Sequence, residues 1–446
     1  MNRDQDKKYQ ILTYGCQMNE RDSEIIAGLL ETAGYEQAKA LEDADLVVFN
    51  TCSVRHSAEN KVFSRLGEIK KLKYDRPELK VAFGGCMAQL PEVRRRLSNL
   101  GVDVVFGTHN VHELPGLLEQ AYLQGGRIFR VWDKAGEVVE NLPSKRERAI
   151  SSFVNIMYGC NNYCSYCIVP YVRGQERSRE SGQIIDEIKS LVDNGTKEVT
   201  LLGQNVNSYG RGLEGQIDFA DLLEKVNRID GLDRIRFMTS HPRDMNDRLI
   251  EAIAKLDKVC EHVHAPLQAG SNKTLKLMNR GYTREYYSEM TDKIKAMIPG
   301  VAISSDFIVG FPGEDDEDFE QTLEMVRKIK FDAAFTFIYS KRTGTKACDM
   351  DAQVPREVKV KRLMQLNEIQ YNIALEHNKR HEGQVVELLV EGSSKTVDTK
   401  LTGRTRTNRI VVFEGPSSLE GKLVQVKVTE AKTFTLFGTV LEGNRQ

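Results

Sequence analysis

The stretch SSFVNIMYGCNNYCSYC, residues 151–167, joins an apolar, strand-like run to three cysteines spaced C-x3-C-x2-C. Similar strand-like runs occur on both sides of it, and most are followed by a helix-like segment. This alternation predicts parallel β-sheets with right-handed crossovers, so we expect an α/β protein. Open sheets of this kind bind ligands at the carboxyl ends of their strands, which is where the three cysteines lie.

The first 125 residues repeat one pattern, in which an apolar run ends in a cysteine and an amphipathic helix follows. The runs YQILTYGC, DLVVFNTC and KVAFGGC end at Cys16, Cys52 and Cys86. Because the carboxyl ends of neighbouring parallel strands gather at one edge, we expect these thiols to meet and share a metal site. Chance burial is the alternative, since free cysteine is commonly buried. Helices are expected at about residues 20–33, 58–72 and 91–97.

The pattern predicts an N-terminal open parallel-sheet domain, a central barrel and a small C-terminal β-barrel. After residue 150, six βα units in about 200 residues favour a partial or full (βα) barrel, with its chemistry at the strand carboxyl ends. One helix is expected to begin with Ser181 as its N-cap and to end before Gly195. The last 60 residues contain five short strands, typical of an OB-like barrel that binds oligonucleotides. We therefore divide the chain into 1–125, a linker at 126–150, 151–380 and 381–446.

Composition limits the cellular setting. No apolar run among the 446 residues approaches the roughly 20 residues of a membrane span, and the polar start MNRDQDKKYQ is unlike a signal peptide. We expect a cytoplasmic protein whose eight cysteines stay reduced and act as ligands or buried thiols rather than disulfides. The net charge of −1 provides no general attraction for nucleic acid, so RNA binding would need a local basic patch.

The triplet Cys160, Cys164 and Cys167 restricts the choice of metal. A structural zinc normally takes four protein ligands, and three thiolates are uncommon at a catalytic zinc. A 4Fe–4S cluster normally takes four cysteines, so three would leave one iron open for a substrate or cofactor. Buried structural thiols are the remaining alternative, but the polar residues Asn161 and Ser165 disfavour it.

This triplet, with Tyr166 just before its last cysteine, resembles the signature of radical S-adenosylmethionine (SAM) enzymes. In that superfamily SAM chelates the open iron, and one electron cleaves it to methionine and a 5′-deoxyadenosyl radical. DFIVGFPGE, residues 306–314, is similar to the superfamily's fifth-strand motif beside the adenine. The resemblance implies a cluster on the three cysteines. It also implies cofactor contacts at Tyr166, Gln204, Gly310 and Phe311.

The whole chain resembles the methylthiotransferases, whose C-terminal part is an RNA-binding TRAM domain. The resemblance implies a second 4Fe–4S cluster on Cys16, Cys52 and Cys86. It also implies two SAM molecules per product: one methylates a sulfur associated with that cluster, and the other supplies the radical that removes hydrogen from the substrate. The cysteines would then be ligands and not nucleophiles.

Three groups of methylthiotransferases differ in substrate. GCNNYCSYCIVPYVRGQERSR, LLGQNVNSYG, TSHPRD and GRTRTNRIVVF are most similar to the group that converts N(6)-isopentenyladenosine at tRNA position 37 to its 2-methylthio form. The others modify threonylcarbamoyl-adenosine in tRNA or an aspartate of a ribosomal protein. The chain departs from the usual pattern of the first group at Lys346 and Ala269. A non-catalytic, metal-containing RNA-binding module is an alternative from a different class.

The implied partners are a tRNA anticodon stem-loop carrying isopentenyladenosine and an electron donor, and we expect a monomer. Phosphate contacts need cations. Each arginine taken singly is as readily explained as a solvated surface charge, but as a set they favour RNA. The candidates are Arg173, Arg177 and Arg179 beside the triplet and Arg404, Arg406 and Arg409 near the end.

Overall fold

The computed structural model describes residues 7–53, 56–134, 136–146, 150–394 and 399–441, and only the backbone of 56–58. Residues 396–398 of the predicted strand TVDTKLTGR, linker residues 135 and 147–149, and both ends of the chain lie outside the described residues. The described residues fall into two compact units. The first comprises 7–146, Met157–Tyr163 and Cys167–Arg179, and the second comprises 150–156, Cys164–Tyr166 and 180–441, apart from the gaps given above. The predicted central and small barrels thus share one unit.

A parallel six-stranded sheet forms the centre of the first unit, in the order β2-β1-β3-β4-β5-β6. Its strands are β1 (Lys8–Tyr14), β2 (Glu36–Gln37), β3 (Leu46–Thr51), β4 (Lys80–Gly85), β5 (Val104–Phe106) and β6 (Ile128–Arg130). The helices are α1 (Gln17–Thr32), α2 (His56–Asp75), α3 (Pro91–Leu97) and α4 (Leu114–Gln124). The predicted α/β class and open parallel sheet are confirmed.

Two apolar layers cover the two faces of this sheet. Every residue of β3 is buried, and its alternate side chains enter different clusters. Val47 and Phe49 pack with residues of α2, whereas Leu46 and Val48 pack with residues of α1 and α4. This explains why the strands read as continuous apolar runs, since a parallel sheet is buried on both faces.

The second unit begins with β7 (Ser151–Asn155). The chain then forms a short antiparallel pair that belongs to the first unit, β8 (Met157–Tyr158) and β9 (Arg177–Ser178), with the one-turn helix α5 (Val169–Val172) in the intervening segment. The following helix is α6 (Ser181–Asp193). Its N-cap position is occupied by Glu180 in an extended conformation, so the prediction of Ser181 as N-cap is wrong by one residue.

The remaining parallel strands are β10 (Glu198–Leu202), β11 (Arg234–Phe237), β12 (His262–His264), β13 (Ala302–Val309) and β14 (Ala333–Ile338). They form the sheets β11-β10-β7 and β12-β13-β14, which a parallel bridge from Ile235 to Val259 connects. The result is an arc with β7 and β14 at its ends, the partial form of the predicted barrel. The helices are α7 (Phe219–Asn227), α8 (Asp247–Lys255), α9 (Asn272–Leu277), α10 (Arg284–Met297), α11 (Asp316–Ile329) and α12 (Arg356–Lys379).

The chain ends in a closed five-stranded barrel of order β15-β16-β17-β19-β18. Its strands are β15 (Val385–Ser393), β16 (Leu401–Thr405), β17 (Ile410–Glu414), β18 (Leu423–Ala431) and β19 (Leu436–Val440). Inward-facing aliphatic residues such as Leu388, Val411 and Val426 fill its core. The predicted small β-barrel is confirmed.

Candidate iron–sulfur and substrate sites

Cys16, Cys52 and Cys86 lie where the sequence predicts, at the carboxyl ends of three neighbouring strands. β1, β3 and β4 are adjacent, and the register aligns Tyr14, Thr51 and Gly85 at their ends. Cys52 directly follows β3 and Cys86 directly follows β4, whereas Cys16 follows β1 after Gly15. The topology therefore brings three thiols to one edge of the sheet.

The thiols of this edge interact with each other. The hydrogen bond from Cys52, followed by the charge of Arg173, lowers the pKa of Cys16 to about 6 against the opposing effect of burial. Cys86 lies within electrostatic reach of Cys16, and burial raises the pKa of the Cys86 thiol. Cys16 consequently ionises more readily than Cys86.

Two asparagines that the sequence analysis missed hold this edge in place. Asn19, in the first turn of α1, donates to Asn50 Oδ1 and to the Thr51 carbonyl, both at 3.1 Å. Asn50 donates in return to the Asn19 carbonyl at 2.8 Å. Gly15 has no room for a side chain, since a Cβ there would lie 2.7 Å from Cys52 Cβ. The first turn of α1 is thereby fixed against the end of β3.

Arg173 belongs to the surroundings of this thiol site. Its guanidinium pairs with Asp22 at 2.8 Å and hydrogen-bonds the Cys86 thiol, and only 5% of the residue is exposed. Its role as a phosphate contact stays a prediction, but in this structure its charge is engaged inside the first unit. Arg179 similarly pairs with Glu140 at 2.7 Å.

A small cavity of about 70 Å³ opens within the first unit beside the cysteine edge, and its lining includes Asn50, Gly85, His109, Arg173 and Arg177. Arg177 Nη1 donates to the Gly136 carbonyl at 2.5 Å. Burial and then the two arginines lower the pKa of His109 to about 4. The cavity therefore carries positive charge on the arginines and a neutral imidazole at neutral pH.

The first cysteine of the triplet lies in a loop that two hydrogen bonds connect to the segment around residues 174–176. The Cys160 amide donates to the Gly174 carbonyl at 3.2 Å, and the Glu176 amide donates to Asn161 Oδ1 at 3.1 Å. Gly159 has a φ of +76°, and a Cβ there would lie 2.0 Å from the Gln175 carbonyl oxygen. This position therefore requires glycine.

The segment around Cys164 is fixed in the second unit. Ser165 donates from its amide to the Met278 carbonyl at 3.0 Å and from its hydroxyl to the Leu277 carbonyl at 2.7 Å. Arg280, which the sequence analysis missed, donates to Cys164 Sγ at 3.3 Å. Cys160 and Cys164 are buried, and Cys167 is half-buried.

Three of the four predicted cofactor residues, Gln204, Gly310 and Phe311, follow the carboxyl ends of β10 and β13 in the second unit, and Tyr166 contacts one of them. The rings of Tyr166 and Phe311 meet edge to face at 6.4 Å, so the structure brings these two together. Gly310 directly follows β13 with a φ of +69°, and its amide donates to Glu314 Oε1 at 2.8 Å. Gln204 lies two residues beyond β10 and is half-buried.

The concave face of the second sheet carries residues that the sequence analysis did not single out. The register aligns His264 with Ser304 and Asp306 with Phe335, so these side chains share one face. Thr336, on the other face, contacts Asn367 of α12 at 2.5 Å. His264 meets Ser304 at 2.9 Å and its ring lies edge to face with Phe335 at 6.1 Å.

Aromatic side chains are exposed on this concave face. Phe335 is 50% exposed and Phe337 38% exposed, although both are large and apolar. The alternation in AAFTFIYS signals a strand with two different faces, but it does not reveal that the exposed face is aromatic.

The three predicted arginines of the small barrel form ion pairs, and two of them reach the amino ends of strands in the partial barrel. Arg406 pairs with Glu261, which precedes β12, and Arg409 pairs with Asp332, which precedes β14. Arg404 pairs with Glu391 of β15 at 3.0 Å. Their roles as phosphate contacts stay predictions, but none of the three is a simple solvated charge.

Within the described ranges, no group of three or more His, Cys, Asp or Glu side chains is arranged to hold a single metal ion. A cubane cluster places a different requirement on its ligands, since each cysteine binds its own iron. The thiols therefore need not converge on one point. Two sets of three thiols, one of them including a residue with a lowered pKa, fit the thiolate ligands of such clusters.

Family models match three parts of the chain. The radical SAM superfamily matches residues 154–326, the Uncharacterized protein family UPF0004 matches 8–107 and the TRAM domain matches 379–441. Among solved structures, the radical SAM methyltransferase TsrM from Kitasatospora setae is similar at a TM-score of 0.56 and 14% identity, covering 77% of this chain and 74% of that one. That likeness concerns the fold. Together, fold and matches define a radical SAM protein with an added cysteine-bearing domain and a TRAM domain.

Relatives that match this chain along nearly its full length narrow the class of protein to one family. The tRNA-2-methylthio-N(6)-dimethylallyladenosine synthase of Syntrophomonas wolfei is 61% identical over 433 residues, covering 97% of each chain. The synthase of the same name from Carboxydothermus hydrogenoformans is 56% identical, covering 98% of this chain and 100% of that one. The chain belongs to this family, whose chemistry uses SAM and iron–sulfur. No helix in the described part of the chain is long and apolar enough to span a membrane.

Proposed function

We propose that this protein inserts a methylthio group at carbon 2 of N(6)-isopentenyladenosine at position 37 of tRNA. The observation that carries the proposal is the second set of cysteines. A radical SAM enzyme needs one cluster site to cleave SAM, whereas a methylthiotransferase also needs a site that handles sulfur. Cys16, Cys52 and Cys86, gathered at one sheet edge, provide a donor set for that second site.

Each set would hold one 4Fe–4S cluster: Cys160, Cys164 and Cys167 the first, and Cys16, Cys52 and Cys86 the second. With bound SAM and one electron from a donor, the first would supply the radical chemistry that breaks the unactivated C–H bond of an adenine, which side-chain acids and bases cannot do. Two SAM molecules would be used per product, one as methyl donor and one as radical source. The protein's own residues bind, orient and shield these groups.

Residues at the strand carboxyl ends would orient SAM. The contact of Tyr166 with Phe311 supports a shared role for the two rings beside the cofactor. Glycine is needed at position 310, because its φ is +69° and a side chain there would collide with Lys359. Gln204 would add a polar contact from the neighbouring part of the arc.

The substrate base would lie against the concave face of the arc. Bases from RNA loops are commonly splayed out and stacked on aromatic side chains. Phe335 and Phe337 are large aromatic side chains exposed on this face. Apolar rings beside the carboxyl group of Asp306 suit an isopentenyl group better than the carboxylate-bearing threonylcarbamoyl group, and far better than an aspartate.

The TRAM domain supports tRNA as the partner, with the anticodon stem-loop as the part that enters the site. Arg177 and Arg404 would supply phosphate contacts, whereas the charges of the other predicted arginines are compensated by carboxylates of this chain: Arg173, Arg179, Arg406 and Arg409. An electron donor, a cytoplasmic location and a monomeric state complete the proposal.

Incubating the reconstituted protein with SAM, a reductant and tRNA, followed by mass spectrometry of the nucleosides, tests the proposal. The expected product is 2-methylthio-N(6)-isopentenyladenosine, formed from tRNA carrying isopentenyladenosine. The matched control is the same tRNA lacking the isopentenyl group, which should remain unmodified. Methylthiolation of threonylcarbamoyl-adenosine or of a ribosomal protein instead would overturn it. Zinc instead of iron in the purified protein, with no cleavage of SAM, would indicate the alternative of a non-catalytic RNA-binding module.

A further inference from the structure

One buried arginine contacts a cysteine in each of the two sets. In the first unit Arg173 hydrogen-bonds Cys86, and in the second unit Arg280 hydrogen-bonds Cys164. The two arginines differ in how their charges are compensated. Arg173 pairs with the carboxylate of Asp22 at 2.8 Å, which neutralises much of its charge.

Arg280 has no such carboxylate among the residues that the structure describes. Its Nε donates to the Tyr282 hydroxyl at 3.0 Å, its Nη2 to the Pro266 carbonyl at 2.9 Å, and its Nη1 to Cys164 Sγ. The side chains that bear most on its charge are Tyr166, Tyr282 and Cys164. Only 4% of the residue is exposed. A guanidinium stays charged in proteins, and a buried charge is costly without a counter-charge.

Cys164 is the group beside Arg280 whose ionised form completes the pair. A cysteine that binds iron is a thiolate. Arg280 is held in place through Tyr282, because the Tyr282 hydroxyl that accepts from Arg280 also hydrogen-bonds the carbonyls of Pro266 and Leu267 at 3.1 and 3.0 Å. The second unit therefore provides a fixed positive charge for an anionic sulfur at this cysteine.

The geometry points to Arg280 as a positioning residue that holds Cys164 and raises the reduction potential of the cluster on Cys160, Cys164 and Cys167. Cluster potentials depend on net charge and on hydrogen bonds to the sulfurs. A positive charge and an N–H donor both stabilise the reduced, more negative cluster. The inference rests on the radical SAM cluster of the proposed function, but it is independent of the RNA substrate.

The test is a reductive titration of the reconstituted full chain without tRNA, followed by electron paramagnetic resonance. Added SAM identifies the signal of the barrel cluster, because SAM binds its open iron. Arg280→Gln removes the charge, and we expect a shift of the potential to more negative values. Arg280→Lys keeps the charge and should titrate close to the unmodified protein. Arg284→Gln, which removes an arginine paired with Glu324 at 2.9 Å, is the matched control and should not shift the potential.

An unchanged potential in Arg280→Gln at full iron content would overturn the inference. If that variant binds no iron at the triplet, Arg280→Lys decides: full iron uptake with a nearly unchanged potential supports a role of the charge, and loss of iron there as well overturns it. Modified tRNA made by a variant with an unshifted potential would leave the proposed function intact. A shifted potential in Arg280→Gln, together with an unmodified protein that modifies no tRNA, would support the role of Arg280 and overturn the proposed function.

Discussion

Arg406 and Glu261 form a bidentate ion pair that fixes the small barrel against the partial barrel. The distances are 2.8 Å from Nε to Oε2 and 2.7 Å from Nη2 to Oε1. Arg234 and Arg236 of β11 strengthen this contact, since they donate to the carbonyls of Arg404, Thr405 and Arg406 at 2.6 to 2.9 Å. The hairpin between β16 and β17 therefore docks on the amino ends of the strands.

The first prediction separates docking from RNA contact at Arg406. If the residue acts by docking, Arg406→Ala and Glu261→Ala should lower the thermal midpoint of the full chain by similar amounts. Removing one partner of a charged hydrogen-bonding pair lowers the free energy of unfolding by roughly 1–3 kcal/mol. The slope of RNA affinity against salt should stay unchanged in both variants. A phosphate contact predicts instead that Arg406→Ala alone lowers that slope by about one. Lys432→Ala, at an exposed surface lysine, is the control.

The second prediction assigns different roles to the two cysteine sets. Cys160→Ala should abolish SAM cleavage, because it would remove a ligand of the cluster that we propose binds SAM. Cys52→Ala should retain reductive cleavage and stop methylthio transfer. The unmodified protein should bind about eight irons and each variant about four. Chromatography of 5′-deoxyadenosine together with nucleoside mass spectrometry measures both activities. Full product formation by Cys52→Ala would contradict the two-cluster scheme.

The strand-end cysteines were predictable because topology alone positions them. In a parallel sheet the carboxyl ends of neighbouring strands share an edge whatever the side chains do. The runs ending at Cys16, Cys52 and Cys86 therefore indicated both the sheet and the meeting of the thiols. The TRAM-like barrel was predictable for a similar reason, since five short strands of that length have few ways to close.

Contacts between distant side chains were not predictable. Arg280 is 116 positions from Cys164, and Arg173 is 151 from Asp22. No local pattern marks such pairs, because they depend on how whole elements pack. The same applies to Arg406 and Arg409, which in the sequence resemble surface cations and in the structure meet carboxylates at strand ends.

The third prediction concerns the thiol pKa of Cys16 in the metal-free protein. Its value of about 6, against 9.0 for an ordinary cysteine, depends first on the hydrogen bond from Cys52. Alkylation of Cys16, followed by mass spectrometry, should therefore have a midpoint near pH 6. Cys52→Ala should move the midpoint upward, whereas Cys52→Ser keeps a donor and should move it less. Equal midpoints in all three proteins would contradict the assignment.

The same lowered pKa affects stability. The unfolded chain binds a proton at Cys16 that the folded chain has released at pH values from about 6 to 9. The free energy of unfolding of the metal-free protein should therefore rise with pH across this range. The contribution is complete above pH 9 and is lost as the pH falls through 6. Denaturant unfolding at several pH values, with Cys16→Ala as the reference, isolates the contribution of this thiol.

The last prediction concerns Phe335 and Phe337 on the concave face. Removing a stacking aromatic costs about 1–3 kcal/mol per base, so Phe335→Ala should lower kcat/KM for isopentenylated tRNA roughly 5- to 150-fold. SAM cleavage without tRNA should be unaffected, because neither phenylalanine is assigned to the cofactor. Phe335→Leu keeps apolar area without an aromatic ring and separates stacking from burial of the isopentenyl group. Anisotropy with stem-loops that carry or lack that group measures its share of the affinity. If Phe335→Ala and Phe337→Ala bind both stem-loops as the unmodified protein does, the base lies elsewhere in the arc.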